Sequence, residues 1–361
     1  MPHPRIAASS PRYRLRLLVL LGLVVGGALS SWLSLGDTRV IGATRPAGSF
    51  TSQSEHLVAG AAAATEPSCE TIQNKKRRKR CFKRNPILLL AAGDIGRCNG
   101  SGDEATAALI ETLPGTVAAL GDLVYESGTA EEFAQCYDPS WGSFKARTRP
   151  APGNHDYETA GAAGYFGYFG SAATPLDPNC RTSCRGYYSY DLGSWHIVVL
   201  NTTCSEVGGC QVGSPQEQWL RADLEAHPTT CTLAYWHHPR FSFGKFHDAP
   251  LLQPLWQELY KHGVEVLLTG HDHNYQRFTP LDDNVPPDPD PERGIREFVV
   301  GTGGANFTPL DPLDSRPSTA EVGNDDTFGI LKLNLHPSSY DWTFIPVAGE
   351  TFTDSGSGTC H

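Results

Sequence analysis

The sequence contains no Cys-x-x-Cys pair, which argues against a zinc ribbon or a thioredoxin-like redox centre. It has no Gly-x-Ser-x-Gly and no Cys-x-x-x-x-x-Arg, so no conventional serine or cysteine nucleophile is on offer. Gly301-Thr302-Gly303-Gly304 lacks a following Lys-Ser/Thr, which excludes a P-loop. No internal repeat is present, and methionine occurs once, at Met1. Basic residues are scarce in the body. From Asn85 onward there are 15 Lys and Arg against 35 Asp and Glu. So acidic a body excludes nucleic acid as a bulk electrostatic partner.

Hydrophobic residues make up 39% of the 361 residues, enough for a substantial core. Arg5, Arg12, Arg14 and Arg16 precede an uncharged apolar run from Leu17 to Leu35. A positive flank followed by an apolar core is the pattern of a secretory signal. The run is also long enough to serve as an uncleaved membrane anchor. Residues 1–35 are therefore expected to be a signal peptide or signal anchor. Residues 36–84 read as a flexible linker, and residues 85–361 as the folded domain. The linker is rich in Ala, Gly, Ser and Thr and carries eight basic residues between Lys75 and Arg84. That cluster reads as a solvated arm, an anionic-surface contact or a protease site. All ten cysteines lie between Cys69 and Cys360. An even count downstream of an export signal implies disulfides and a secreted, periplasmic or cell-surface location. Short spacings favour Cys180–Cys184 and Cys204–Cys210, although spacing does not fix connectivity. Asn99, Asn201 and Asn306 begin Asn-x-Ser/Thr triplets.

Apolar runs alternate with helical patterns. Ile87–Ala92, Val117–Leu120, Thr232–Trp236 and Val264–Leu268 read as strands, and Tyr187–Leu192 with His196–Asn201 as a hairpin. Helices are expected near Asp103–Leu113, Ala130–Tyr137 and Leu251–His262. Another starts at Ser214-Pro215-Gln216-Glu217, with an N-cap, a first-turn proline and a capping-box glutamate. Phe298–Val300, Phe328–Leu335 and Tyr340–Ile345 close the chain as strands, and the proline-rich stretch Asn284–Glu292 is a surface loop. This order predicts an α/β body with antiparallel content.

Five extended segments end alike. They run into Gly93-Asp94, Gly121-Asp122-Leu123-Val124-Tyr125, Gly153-Asn154-His155-Asp156, His237-His238-Pro239 and Gly270-His271-Asp272-His273. Each delivers a potential metal ligand at the C-terminal end of a strand, where α/β sheets place their sites. Two cations held close together need a carboxylate between them, and imidazole with hard oxygen donors suits Fe, Zn or Mn. Such a pair clamps a phosphate and activates water.

This ordered set resembles the calcineurin-like metallophosphoesterases and, within them, the purple acid phosphatases. The likeness runs from Ile87 to about Ala305. Tyr125, three residues after Asp122, is the discriminating position, because the purple enzymes carry a tyrosinate there. The resemblance implies the short, mammalian-type form and a four-layer αββα sandwich of two mixed sheets. It also implies two metal ions, Fe(III) with Fe, Zn or Mn. Asp94, Tyr125 and His273 would hold the first ion and Asn154, His237 and His271 the second, with Asp122 bridging. His237 is preferred to His238 because the family ligand stands two before the proline. His155 would face the substrate phosphate. The family's further substrate histidine falls nine residues beyond His237, on Phe246, so that a one-residue insertion would make it His247. Ile95 and Arg97 depart from the family pattern and bear on substrate fit. The implied reaction is hydrolysis of phosphate monoesters by metal-bound hydroxide, on a phosphorylated small molecule or protein. The rivals are a phosphodiesterase or nucleotide/pyrophosphate hydrolase on the same site, and a non-catalytic metal-binding surface protein.

Overall fold

The computed structural model describes residues 87–175 and 185–361 apart from 314, together with 73–74 and 76–77. The expected leader, nearly all of the basic cluster, and Cys180 and Cys184 lie outside the described residues. Among those described, no helix is long and apolar enough to cross a membrane.

Among the described residues there are fifteen strands: β1 Ile87–Ala92, β2 Gly96–Arg97, β3 Thr116–Leu120, β4 Val124–Tyr125, β5 Thr148–Ala151, β6 Tyr188–Leu192, β7 Trp195–Val199, β8 Cys231–Tyr235, β9 Val266–Thr269, β10 Tyr275–Phe278, β11 Arg296–Val300, β12 Ala320–Asn324, β13 Gly329–His336, β14 Ser339–Pro346 and β15 Ser355–Thr359. The principal helices are α1 Gly102–Glu111, α2 Ala163–Phe169, α3 Pro215–Ala226 and α4 Gln253–Lys261. The expected helix Ala130–Tyr137 is a single α turn over Ala130–Glu132 that widens into a π-helix over Phe133–Tyr137.

Of the two large sheets, one has the order β15-β14-β13-β1-β3-β5 and the other β12-β10-β11-β9-β8-β7-β6, while β2 and β4 pair apart from them. Both large sheets are mixed. β1, β3 and β5 run parallel, as do β7, β8, β9 and β11, while the outer strands pair antiparallel. Side chains alternate across a strand, and here the alternation assigns two cores. Ile197, Val199, Leu233, Tyr235, Val266, Leu268, Phe298 and Val300 join Leu89, Ala91, Leu331 and Leu333 in the core between the sheets. Their neighbours Val198, Ala234, Leu267 and Val299 face the other way, onto Leu220 and Leu224 of α3 and Leu255, Trp256 and Leu259 of α4. With α1 against β13 of the first sheet, the layers follow the expected αββα order.

Ser214 caps α3 by accepting the Glu217 N–H, with Pro215 at the first turn. The Glu217 carboxylate takes the Gly213 N–H at 2.7 Å rather than closing the expected box on Ser214. Three disulfides are described: Cys98–Cys136, Cys204–Cys210 and Cys231–Cys360. The second is the pair that spacing favoured. The third ties the last strand region to the start of β8 across 129 positions. Asn201 is buried and donates to the Tyr157 hydroxyl and the Arg185 carbonyl, so this triplet does not present a surface acceptor.

Candidate metal centre

The parallel strands β1, β3, β5, β8 and β9 bring five chain segments to one place. Three residues there sit in the left-handed region, Asp94 at φ 59°, Asp122 at φ 49° and His271 at φ 70°. Non-glycine residues adopt that conformation only where the surroundings hold them. Of the glycines that precede them, Gly121 shares the left-handed bend at φ 87°. At these three turns the left-handed bend includes the functional side chain itself. The glycines supply room: a Cβ on Gly153 would lie 2.1 Å from Asp122 Oδ1, and one on Gly270 2.6 Å from Asp94 Oδ2.

Tyr125 is at the centre. Its hydroxyl oxygen lies 2.8 Å from Asp94 Oδ1, 3.1 Å from Asp122 Oδ2 and 2.9 Å from His273 Nε2. One phenolic proton cannot serve two carboxylates at once. The crowding of oxygen and nitrogen acceptors about a point is the arrangement of donors around a shared cation. His273 Nε2 is also 3.2 Å from Asp94 Oδ1. On the other side, His237 Nε2 stands 3.1 Å from Asp122 Oδ2 but off the line of a hydrogen bond, and is left without a partner. Its Nδ1 lies 2.9 Å from the Leu120 carbonyl. A carbonyl only accepts, so Nδ1 carries the proton and Nε2 is free to ligate. Asn154 Oδ1 is likewise buried without a hydrogen-bond partner. The His271 ring centre lies 5.1 Å from that of His237. Among the described residues ten buried side-chain polar atoms lack a hydrogen-bond partner, and three of them, Asn154 Oδ1, His237 Nε2 and His273 Nδ1, belong to residues expected to ligate.

The electrostatics point the same way. Asp94 and Asp122 are at most 1% exposed. Burial pushes the Asp122 carboxyl up, yet His237 beside it outweighs that and holds it well below the usual range. Burial lowers His237, and Asp122 and Asp94 overcome this to raise it to about 9; the carboxylates draw a proton to this ring, and a cation bound at Nε2 would displace it. Burial, reinforced by Asp122 and Asp94, pushes the Tyr125 phenol well above its ordinary value. Two buried carboxylates beside a phenol are costly without compensating positive charge. The donor set and its orphaned atoms fit a pair of hard divalent or trivalent ions.

His155 joins the cluster through its backbone, whose N–H donates to Asp122 Oδ1 at 2.8 Å. Its ring lies 4.5 Å from Tyr125, with Nδ1 2.6 Å from the Glu126 carbonyl. Asp156 does not touch that ring. Its two oxygens accept the Gly153 and Leu123 N–H groups, so it joins the loops that carry Asn154 and Asp122. His247 is not brought into the cluster. It is exposed and lies 3.8 Å from Asp311, whereas Phe246, at the nine-residue offset, has its ring 4.5 Å from His271. His238 lies 4.3 Å from His271, ring to ring, and its Nδ1 is 2.9 Å from Thr202 Oγ1. With His237 and His271 it forms a second group whose ligand atoms lie within 4.8 Å of one another.

Sequence reasoning gave Arg97 only a bearing on substrate fit and did not assign Glu126 to the site. They pair at 2.7 Å, with the guanidinium 5.4 Å from the Tyr125 ring centre. Nor did it assign Asp272, which accepts the Ser242 hydroxyl and the Phe246 N–H. Asp272 stands inside the Gly-His-Asp-His run, and only the folded loop shows what it holds.

A family model described as calcineurin-like phosphoesterase matches residues 87–275, more than half of the chain. The chain belongs to the calcineurin-like phosphoesterases. Among its relatives in that family is purple acid phosphatase 21 of Arabidopsis thaliana, 29% identical over 237 residues, which are 61% of this chain and 50% of that protein. Another, probable inactive purple acid phosphatase 27 of the same plant, is 25% identical over 256 residues, 61% of this chain and 39% of that protein. The chain thus spans about half the length, or less, of these relatives. Among solved structures, a purple acid phosphatase from yellow lupin (Lupinus luteus) seeds superposes with a TM-score of 0.57 at 19% identity, covering 76% of this chain and 53% of that one. That likeness establishes the phosphoesterase fold.

Proposed function

We propose that this calcineurin-like phosphoesterase hydrolyses phosphate monoesters at a dinuclear metal centre, as an exported acid-phosphatase-type enzyme. The observation that carries the reading is the single oxygen of Tyr125 set against Asp94, Asp122 and His273. Asp94, Tyr125 and His273 would hold one ion, Asn154, His237 and His271 the other, and Asp122 would lie between them. The phenolate makes Fe(III) the expected first ion, with Fe, Zn or Mn second. Bound there, the pair supplies Lewis acidity to the phosphoryl oxygens and lowers the pKa of water.

The protein's own groups do the rest. His155 has Nδ1 committed to the Glu126 carbonyl, which leaves Nε2 to meet the substrate. As the imidazolium, Nε2–H binds the phosphate and protonates the departing alkoxide. Asp122 holds the His155 backbone, so one carboxylate sets both the ions and the acid. His247 acts on substrate in this reading only if its loop closes over the site from its exposed position. Three relatives are named as probably inactive; the full donor set here supports activity for this chain. Three disulfides in the described residues support an oxidising, extracytoplasmic location.

The test is p-nitrophenyl phosphate beside its bis ester. Faster monoester cleavage, lost in His155→Ala and Asp122→Asn, is expected. Faster diester cleavage would replace the assignment with a phosphodiesterase, and unchanged activity in both variants would remove the mechanism.

A further inference from the structure

Among the described residues Phe246 is one of six large apolar side chains left open to water, 43% exposed. Its ring lies beside His271, 4.5 Å between centres and tilted by 33°. A free loop would turn such a ring inward, but this loop is fastened. The Phe246 N–H donates to Asp272 Oδ1 at 3.1 Å, and Asp272 Oδ2 accepts the Ser242 hydroxyl at 2.5 Å. Ser242 Oγ in turn accepts the Gly244 N–H and a Gln276 amide N–H. A Cβ on Gly244 would sit 2.7 Å from the Asp272 carboxyl carbon, so the loop packs tightly on the turn between His271 and His273. Lys245 Nζ stands 4.9 Å from the Phe246 ring centre and places positive charge there, within an otherwise acidic body.

We infer that Phe246 is a stacking platform for the leaving group, and that the preferred substrates are phosphate monoesters of planar aromatic alcohols or nucleosides. This rests on the phosphoesterase reading and narrows it. A pinned, half-open aromatic ring beside a ligand residue gives a flat apolar group somewhere to lie while its phosphate reaches the centre. Ring stacking gains little from a compact aliphatic ester. Lys245 suits a substrate that stays anionic around the ring.

Phe246→Ala removes the platform from an exposed position, so the fold is retained, and Phe246→Trp restores a planar surface. With 1-naphthyl phosphate, Phe246→Ala should raise KM about tenfold at nearly constant kcat, with rescue by Phe246→Trp. With glycerol 2-phosphate the rise in KM for Phe246→Ala should be several-fold smaller than with 1-naphthyl phosphate. An equal loss on both esters, or no loss on either, overturns the inference. Calorimetry on the metal-loaded protein gives a readout independent of turnover. 1-Naphthylphosphonate should bind more tightly than methylphosphonate, and Phe246→Ala should abolish the difference. A protein that shows this preference yet hydrolyses no ester keeps the platform and refutes the hydrolase. A hydrolase without the preference refutes the platform alone.

Discussion

Gly153→Ala is the smallest change that should disable the centre. The added Cβ would lie 2.1 Å from Asp122 Oδ1, 2.3 Å from its backbone nitrogen and 2.8 Å from its carboxyl carbon. Contacts under 3.0 Å are essentially never seen, so Asp122 must retreat by about 1 Å relative to the Gly153 loop. It cannot do so alone. Its Oδ1 holds the His155 N–H at 2.8 Å, and Asp156 binds the Gly153 N–H at 2.8 Å. The same methyl group therefore moves the carboxylate and the acid together. A misplacement of about 1 Å costs on the order of a hundredfold in rate, while overpacking costs about 1–3 kcal/mol in stability. The assay is kcat/KM for p-nitrophenyl phosphate with metal content and thermal midpoint measured on the same sample. Gly167→Ala is the control, since its Cβ meets nothing within 4 Å and it lies exposed in α2; it should keep full activity. If Gly153→Ala keeps kcat/KM within about threefold of the parent, the proposed role of the Asp122 contact is wrong.

Tyr125→Phe deletes the oxygen shared by three groups and should bleach any visible charge-transfer band; a band of unchanged intensity would mean the tyrosine does not ligate. His196 is buried between Asp223 at 2.9 Å and Asp191 at 3.0 Å, and these carboxylates outweigh burial to raise its pKa above the ordinary 6.5. The stabilisation from its cation is therefore complete below about pH 6.5 and is lost as pH rises through the raised folded value. Urea midpoints across that window should fall for the parent and lose that fall in His196→Gln; parallel curves would refute the pairing. Replacing both Cys231 and Cys360 by Ser opens a loop of 129 positions and should cost about 3–5 kcal/mol in urea unfolding. A cost below about 1 kcal/mol would show that the bond does not restrain the unfolded chain.

Ile87–Ala92 was legible residue for residue because a central strand buried on both faces over most of its length is a continuous apolar run. β15 was not. Its Ser-Gly-Ser-Gly-Thr has no apolar signal, and it exists because Gly356 and Gly358 leave room for the Trp342 and Tyr340 rings of β14. α2 was hidden by glycines in Ala-Gly-Tyr-Phe-Gly-Tyr-Phe, and β12 by an alternation too weak to rank. At the site, residue type and order named the candidate ligands, since donors must end strands to meet. What order could not show was contact across the chain. The Leu120 carbonyl that fixes His237, and Asp156 clasping two loops, are visible only in the fold. The uncertain offset past His237 likewise depended on a loop whose path is set by Asp272.

Everything turns on whether these side chains hold two ions. The most direct measurement is elemental analysis of purified, dialysed protein, for the parent and for Asp122→Asn. Two metal ions per chain in the parent, with loss of at least one in the variant, is the predicted result. One ion or none under metal-replete conditions, or a count that Asp122→Asn leaves untouched, would contradict it.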